Sequence, residues 1–265
     1  MSLFVIGDLH LSFSVDKPMD IFGNNWENHA EKIKNNWIEK VHPEDTVILP
    51  GDFSWATYLE ESKEDFEFLN SLPGKKILSK GNHDYWWTTL TQMRKFLKEN
   101  NIENVDFLYN NAFEVEGKVL VGARGWVNLY KEDDNYKILK RENDRLKLSI
   151  AYANKEFDNS LEKIAFIHYP PFYKESVPEE IDFIKTLKDN NIKRCFYGHL
   201  HGPSHKDAFE GMLEGIEFKL ISSDFLDFNL IEIKWGKNGI FWLYYLKYSI
   251  IKCKGCKIGR QTKIY

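Results

Sequence analysis

Polar residues that can bind metal ions follow several short apolar runs in this sequence. In residues 79–87, SKGNHDYWW, an amide, an imidazole and a carboxylate come directly after one glycine. Loops at strand ends are held by the sheet and can present side chains, so they often carry chemistry. Asn, Asp and Gly also form ordinary turns, so this stretch alone leaves a polar turn open. Similar residues follow other apolar runs, and the full set is Asp8, His10, Asp52, Asn82, His83, Asp84, His168, His199 and His201.

The residue types in this set favour a metal site. Five of the eight histidines belong to it, whereas a lone histidine at a strand end is more often structural. Imidazole, carboxylate and amide oxygen without thiolate suit Mn, Fe, Zn, Co or Ni, and they disfavour a cysteine zinc site. Asp8/His10 and His199/His201 are spaced i, i+2, which puts both side chains on one side of an extended backbone. Seven of these nine residues, all but His83 and Asp84, are taken as ligands. Seven ligand groups are too many for one ion, so we expect two metal ions that share a carboxylate.

Alternating strands and helices must position these residues. Short apolar strands lead into Asp8, Asp52 and Gly81, and the sequence predicts an amphipathic helix after each strand, at 25–41, 58–72 and 88–101. Apolar strands that alternate with helices indicate parallel central strands covered on both faces.

The later part of the chain is richer in strands. A strand–turn–strand unit is predicted around Glu116-Gly117, and two further strands lead into His168 and His199. Helices are predicted near 134–157 and 178–190, and antiparallel strands at 217–223, 228–235 and 239–248, with a turn at 237–239. The whole pattern predicts an α/β protein in which two sheets pack face to face with helices outside.

Composition excludes several classes of protein. The net charge is −4, with 36 Lys and Arg against 40 Asp and Glu, so there is no strong case for nucleic-acid binding. We identify no signal peptide and no apolar run near the roughly 18 residues of a transmembrane segment. Cys195, Cys253 and Cys256 fit a reducing compartment, which predicts a cytoplasmic protein. No feature of the sequence specifies an oligomeric state.

The chain is expected to hold one catalytic domain at 1–246 and a basic tail at 247–265. The tail has six Lys and Arg and no acidic residue, and we expect it to be flexible. Its Cys253-x-x-Cys256 lacks the second pair that a zinc ribbon needs.

The ordered motifs GDLH, GD, GNHD, HYP and GHLH resemble those of the calcineurin-like metallophosphoesterase family, over residues 7–201. The resemblance implies a four-layer αββα sandwich of two mixed β-sheets flanked by helices. It also implies roles for the polar residues. Asp8, His10 and His201 would hold the first metal, Asn82, His168 and His199 the second, and Asp52 would bridge them. His83 would be the general acid, with Asp84 orienting its ring.

Two motifs differ from those of the family's protein serine/threonine phosphatases. Those enzymes extend the second motif to GDxVDRG and end the third in GNHE, whereas this chain reads GDFSWAT and GNHD. The resemblance therefore favours members that cut diesters and pyrophosphates, although such members often carry Arg at the position of His83. The predicted activity is metal-dependent hydrolysis of an anionic phosphate ester (a phosphodiester, pyrophosphate or monoester) by a metal-bridging hydroxide. The expected cofactors are two divalent ions, with Mn, Fe or Zn favoured.

Other residues leave alternatives open. Arg124 ends a strand and could bind phosphate through its planar guanidinium, or form a surface ion pair. Trp86, Trp87 and Trp126 could wall a pocket, but tryptophan is more often a core residue. A nuclease of the same fold is an alternative activity, and a catalytically silent binding scaffold is another. The complete ligand set argues against the scaffold.

Overall fold

The structure is a computed structural model that describes residues 1–126, 134–174 and 182–234. Residues Met1–Ile233 form one compact unit. The expected domain end at 246, the strand predicted at 239–248, its turn at 237–239 and the tail at 247–265 lie outside the described residues. They stay predictions.

Eleven strands and five α-helices are assigned within the described residues. In chain order they are β1 (Leu3–Val5), α1 (His29–Lys40), β2 (Thr46–Pro50), α2 (Lys63–Ser71), β3 (Lys75–Ser79), α3 (Leu90–Glu99), β4 (Val105–Phe107), β5 (Phe113–Val115), β6 (Lys118–Ala123), α4 (Asp134–Glu156), β7 (Glu162–Ile167), α5 (Asp182–Asp189), β8 (Arg194–Tyr197), β9 (Gly211–Leu213), β10 (Ile216–Leu220) and β11 (Ile231–Glu232).

The strands form two mixed sheets, as the sequence predicts. The first has the order β11-β1-β2-β3-β4 and the second β5-β6-β7-β8-β10-β9. In the first sheet β1 to β4 are parallel, and β11 runs antiparallel to β1. In the second, β6, β7, β8 and β10 are parallel, and the antiparallel strands β5 and β9 lie at the edges.

Three apolar cores hold the layers together. Between the sheets, Val5 and Ile48 of the first sheet share a core with Leu120 and Ile164 of the second. Successive strand residues point to opposite faces, so their neighbours along each strand face away from this central core. On the outer face of the first sheet, α1, α2 and α3 pack to form a second core. On the outer face of the second sheet, α4 and α5 pack to form a third. The αββα architecture is therefore confirmed.

The predicted turn between β5 and β6 is confirmed, whereas the predicted direction of β10 is wrong. The β5–β6 turn has positive φ at Glu116 (51°) and Gly117 (66°), as a two-residue hairpin requires. The segment 217–223 was expected among antiparallel strands, but β10 runs parallel to β8. The hairpin partner of β10 is the three-residue β9, joined through Glu214 and Gly215, and this partner was not predicted.

Among the described residues, no helix has both the length and the apolar character needed to cross a bilayer. Cys195 is a buried free thiol. The cytoplasmic location stays a prediction.

Candidate metal centre

The ends of strands from both sheets bring the predicted ligands together. Asp8, Asp52 and Asn82 follow β1, β2 and β3, whereas His168 and His199 follow β7 and β8. Two groups result, in each of which the ligand atoms lie within 4.8 Å of one another. The first group is Asp8, His10 and His201, and the second is Asp52, His168 and His199.

The backbone is strained at four of these residues. Asp8, His10, Asp52 and His199 all have positive φ, between 47° and 75°. Few non-glycine residues adopt this region, and such residues cluster at functional sites where the surrounding structure enforces them.

Two glycines let these loops approach one another. A Cβ atom on Gly81 would collide with the Asp52 carboxylate, and one on Gly198 would collide with the Asp8 carboxylate. The glycines of the GNHD and GHLH motifs are therefore needed for close approach of the backbone to a ligand.

Asn82 joins the second group. Its Oδ1 lies 2.7 Å from Nε2 of His168 and 2.8 Å from Nδ1 of His199. In the first group, Nε2 of His10 lies 3.2 Å from Nε2 of His201, which is 3.6 Å from Oδ1 of Asp8. In each group, imidazole nitrogens lie close to a side-chain oxygen, which is a carboxylate oxygen of Asp8 in the first group and the amide oxygen of Asn82 in the second.

Asp52 belongs to the second group and also faces the first. Its Oδ1 accepts a hydrogen bond from the backbone N–H of His83 at 2.8 Å. Its Oδ2 is buried and has no hydrogen-bond partner among the described residues. That oxygen lies 3.4 Å from Nε2 of His168 and 3.8 Å from Nε2 of His10, so it faces both groups. A buried carboxylate oxygen is normally satisfied by a partner. The imidazole, carboxylate and amide donors around Asp52 fit divalent cations.

Burial keeps most of these imidazoles neutral. It lowers the pKa of His168 to about 3, that of His199 to about 4, and that of His10 well below its ordinary value. Neutral imidazole is the form that binds a metal ion.

The carboxylates and His201 respond to one another as well as to burial. Burial, reinforced by the charges of Asp84 and Asp8, raises the pKa of Asp52. For Asp8, burial acts in the same direction, but contacts with His201 and other histidines lower its pKa overall. For His201, burial opposes the charge, but hydrogen bonds to Asp224 and Asp8 raise its pKa to about 10.

Asp224 is a site residue that the sequence analysis missed. Nδ1 of His201 donates to its Oδ1 at 2.8 Å, while its Oδ2 accepts from the backbone N–H of Gly202 at 2.9 Å and lies 3.2 Å from Nε2 of His205. A metal ion at Nε2 of His201 would replace the second proton of this imidazolium, while the proton on Nδ1 stays bonded to Asp224. The available signal was an acidic residue that follows the apolar run of β10, as in the other motifs.

Asp84 makes no hydrogen bond to the ring of His83, in contrast to the expected orienting role. Its carboxylate is fully buried and accepts hydrogen bonds from five N–H groups. The donors are the backbones of Asp52, Phe53, Ser54 and Gly81 and the indole of Trp86. Asp84 therefore ties the loop after β3 to the loop after β2, and we correct its role to that of a residue that shapes both loops.

The ring of His83 packs instead on Trp55, with 4.3 Å between ring centroids. Its Nδ1 has no hydrogen-bond partner in the described part of the chain, and its Nε2 lies 4.0 Å from Oδ2 of Asp52. Trp55 also stacks on His10 at 4.9 Å. This tryptophan belongs to the GDFSWAT segment, and no pattern in the sequence predicted its position beside two histidines.

Arg124 lies beside the centre and not within it. Its backbone oxygen accepts from the N–H groups of His168 and Tyr169, and its guanidinium lies 3.4 Å from Glu142. Trp86 and Trp87 are buried core residues. The guanidinium carbon of Arg124 lies 5.0 Å from the centroid of the Trp126 ring.

Comparison with known proteins agrees with this architecture. The sequence profile of the calcineurin-like phosphoesterase family matches residues 1–203. Comparison with proteins of curated function finds no significant match.

Two solved structures share the fold. One is the phosphopantetheinyl hydrolase PptH from Mycobacterium tuberculosis, 13% identical, with a TM-score of 0.51 over 88% of this chain and 95% of that one. The other is TT1561 of Thermus thermophilus, 13% identical, with a TM-score of 0.52 over 88% of this chain and 97% of that one. At this identity the likeness concerns the fold alone. Because the family profile covers most of the chain, the protein belongs to the calcineurin-like phosphoesterase family.

Proposed function

We propose that this protein hydrolyses a phosphate ester at a centre of two divalent metal ions. Asp8, His10 and His201 hold the first ion, Asn82, His168 and His199 hold the second, and Asp52 is shared. The observation that carries this proposal is Oδ2 of Asp52, which is buried, has no hydrogen-bond partner among the described residues and faces both groups.

Charge favours an anionic substrate. Two divalent cations would bring +4, and the carboxylates of Asp8 and Asp52 bring −2, which leaves an excess of about +2. When bound, a pair of such ions supplies Lewis acidity and a nucleophile generated from water near neutral pH. The chain's own ligands would fix the geometry, since they are held by strand ends of two packed sheets.

His83 would protonate the leaving oxygen. Its side chain is 33% exposed, whereas that of Asp52 beside it is 1% exposed. An imidazole at the boundary between the centre and solvent can donate a proton and regain one. Packing on Trp55 limits the ring's freedom to turn away.

Diesters or pyrophosphates are the favoured substrates. This preference rests on GDFSWAT and GNHD, which depart from the extended motifs of protein phosphatases. We expect a simple diester to be hydrolysed at least as well as a phosphoserine peptide.

The test is a screen of the full chain, loaded with Mn, Fe or Zn, against phosphomonoesters, phosphodiesters, cyclic nucleotides, pyrophosphates and phosphopeptides. We expect kcat/KM for bis-p-nitrophenyl phosphate to equal or exceed that for every peptide. Asp52→Asn should lose activity on all substrates and bind both metals more weakly. A folded, metal-loaded protein that hydrolyses none of them would refute the proposed function, and a strong preference for peptides would refute the substrate class.

A further inference from the structure

A cleft of about 490 Å³ lies between α3 and the segment that joins β2 to α2. We call it the aromatic cleft, because its lining includes the aromatic side chains of Tyr58, Tyr85, Trp86, Trp87 and Phe96. The first of these precedes α2, the next three follow β3, and the last belongs to α3. The volume falls in the range of about 300–1,000 Å³ that is typical of small-molecule sites. The cleft therefore has room for a ligand group.

The aromatic cleft is connected to the metal centre through the loop after β3. Tyr85 follows His83 by two residues, and the centroids of their rings are 6.3 Å apart. The indole N–H of Trp86 donates to the carboxylate of Asp84, which also accepts from the backbone N–H of Asp52. One hydrogen-bonded unit therefore holds both a wall of the cleft and a predicted metal ligand. A substrate group that extends past His83 reaches Tyr85, at the start of the cleft.

Two tyrosine rings of the cleft are left uncovered by the protein. Tyr58 is 65% exposed and Tyr85 is 64% exposed. Among the described residues, Tyr58 contacts no other aromatic ring, and Tyr85 contacts only the ring of His83. Single exposed aromatic residues are ordinary, but these two come from different loops and line the same cleft. Behind them, Trp87 and Phe96 pack against the core on the first sheet, which fixes the wall of the cleft.

The lining also contains hydrogen-bond donors that the protein does not use. Oε1 of Gln92 accepts from the hydroxyl groups of Thr88 at 2.6 Å and Thr89 at 3.0 Å. The amide nitrogen of Gln92 has no hydrogen-bond partner in the part of the chain that the structure describes. The indole nitrogen of Trp87 is buried and likewise has no partner among the described residues. A planar group that carries hydrogen-bond acceptors at its edge would match these donors.

The charged side chains of the cleft disfavour a second anionic group. Glu60, Lys95 and Glu99 belong to its lining. Nζ of Lys95 lies 3.6 Å from Oε1 of Glu99, so this lysine is already paired. Among the described residues that line the cleft, positive charge is therefore not in excess of negative charge. An uncharged ligand group fits this cleft better than a phosphate does.

We propose that the aromatic cleft binds an uncharged, planar aromatic group on the leaving-group side of the substrate, and that Tyr58 and Tyr85 stack on this group. The inference rests on the proposed function, in which His83 protonates the leaving oxygen. A nucleoside and a simpler aromatic alcohol share the required chemistry. A role in the core accounts for the buried tryptophans of the cleft, but it explains neither the two exposed tyrosine rings nor the unpartnered amide of Gln92.

The test compares two phosphate esters that differ only in the base. Calorimetry on the manganese-loaded chain should give about tenfold tighter binding of thymidine 5′-monophosphate than of 1,2-dideoxyribose 5-phosphate, which is the size of one stacked base. In the double variant Tyr58→Leu/Tyr85→Leu the ratio of the two Kd values should approach one. Tyr58→Phe/Tyr85→Phe should keep the wild-type ratio, because stacking needs the ring and not the hydroxyl group. Tyr152→Leu, at an exposed tyrosine of α4, is the matched control and should also keep the ratio.

The products of a diester show on which side the aromatic group binds. In methyl thymidine 5′-phosphate, water can displace either of two alkyl alcohols from phosphorus. With the base in the cleft, the P–O bond to thymidine breaks, and the departing oxygen takes its proton from His83. The wild type should therefore release thymidine and methyl phosphate, whereas Tyr58→Leu/Tyr85→Leu should give both pairs of products. Release of methanol and thymidine 5′-monophosphate by the wild type would overturn the placement on the leaving-group side.

The binding ratio separates this inference from the proposed function. An affinity that depends on the base, and that Tyr58→Leu/Tyr85→Leu removes, would support the cleft even if no ester were hydrolysed. A wild-type ratio near one, or a ratio that the double variant leaves unchanged, would overturn the cleft even in an active enzyme.

Two further esters identify the class of aromatic group. If 2-phenylethyl phosphate binds about as tightly as thymidine 5′-monophosphate and 2-cyclohexylethyl phosphate binds weakly, a flat ring is sufficient, and the cleft takes a simple aromatic alcohol. If both esters bind weakly, the edge of the base is also needed, and Gln92→Leu should then weaken the binding of thymidine 5′-monophosphate. If both bind as tightly as thymidine 5′-monophosphate, the cleft does not select planar groups, and stacking on the two tyrosines would be refuted.

Discussion

His83 and Asp224 act on the same centre in different ways. His83 stands at its edge, packed on Trp55, whereas Asp224 lies behind His201 and accepts a hydrogen bond from its Nδ1. We propose that His83 moves a proton and that Asp224 holds a metal-ligating histidine in one tautomer. Substitution at each should therefore change a different measurable quantity.

We predict that His83→Ala lowers the rate of hydrolysis more for an ester with a more basic leaving group. General acid catalysis typically contributes about 10²–10⁴-fold. A p-nitrophenolate needs little help, so the variant should lose most activity on an alkyl phosphate ester and clearly less on the matching p-nitrophenyl ester. Elemental analysis should show an unchanged metal content. Equal losses on both esters would instead indicate phosphate binding by His83, and a lost metal would indicate a supporting role.

We predict that Asp224→Asn weakens metal binding at the first group. Removal of a carboxylate that orients a ligating histidine typically costs about 10–100-fold in metal affinity. Calorimetric titration with Mn should show this loss for one site while the other keeps its affinity. Asp227→Asn, an exposed neighbour, is the matched control and should behave as the wild type. Equal weakening of both sites would assign Asp224 a general structural role.

At the scale of elements, strand ends were predictable and loop geometry was not. An apolar run followed by a ligand-type residue identified the ends of β1, β2, β3, β7 and β8, and at all of these except β7 a glycine directly precedes that residue. The direction of each side chain depends on positive φ values, as at Asp52, and on contacts between loops distant in sequence. The resemblance implied that Asp84 orients the ring of His83, whereas the hydrogen bonds of its carboxylate go to N–H groups of Gly81, Trp86 and the loop after β2. Asp224 was missed because its partner His201 lies 23 residues away.

Strand β3 contains a fully buried lysine, Lys76. Its Nζ donates to the backbone oxygen of Leu72 and lies 5.9 Å from the Trp37 ring. Burial lowers the pKa of Lys76 to about 7. Between pH 7 and about 10.4, the ordinary pKa of lysine, the unfolded chain holds this proton and the folded chain releases it. Stability therefore rises with pH in that window, by up to about 1.4 kcal/mol per pH unit.

We predict that Lys76→Met removes this part of the pH dependence. Chemical denaturation at several values between pH 7 and 9.5 should give a smaller rise in the free energy of unfolding for the variant than for the wild type. Lys75→Met changes an exposed neighbour on the same strand and should keep the wild-type slope. Identical slopes for the wild type and Lys76→Met would show that Lys76 has an ordinary pKa in the folded protein.

At the scale of the whole molecule, each ligand group joins the two sheets. Asp8 and His10 of the first group come from the first sheet and His201 from the second. In the second group, Asp52 follows a strand of the first sheet, and His168 and His199 follow strands of the second. The apolar core between the sheets sets their separation, and metal binding would couple the loops that this packing brings together.

We predict that metal ions stabilise the fold as well as supply chemistry. A ligand that binds only the folded state adds about 2.7 kcal/mol per site at a free concentration one hundred times its Kd. Chelator-treated protein should therefore unfold at a lower temperature than manganese-loaded protein, and the difference should keep growing with free manganese concentration, while elemental analysis should show two equivalents bound. Asp52→Asn should show a much smaller manganese-induced rise in Tm, because both sites lose the shared carboxylate. Glu214→Gln, an exposed substitution in the second sheet's hairpin, should respond as the wild type does. If manganese raised the Tm of Asp52→Asn as much as that of the wild type, or if binding ended at one equivalent, the shared role of Asp52 would be refuted.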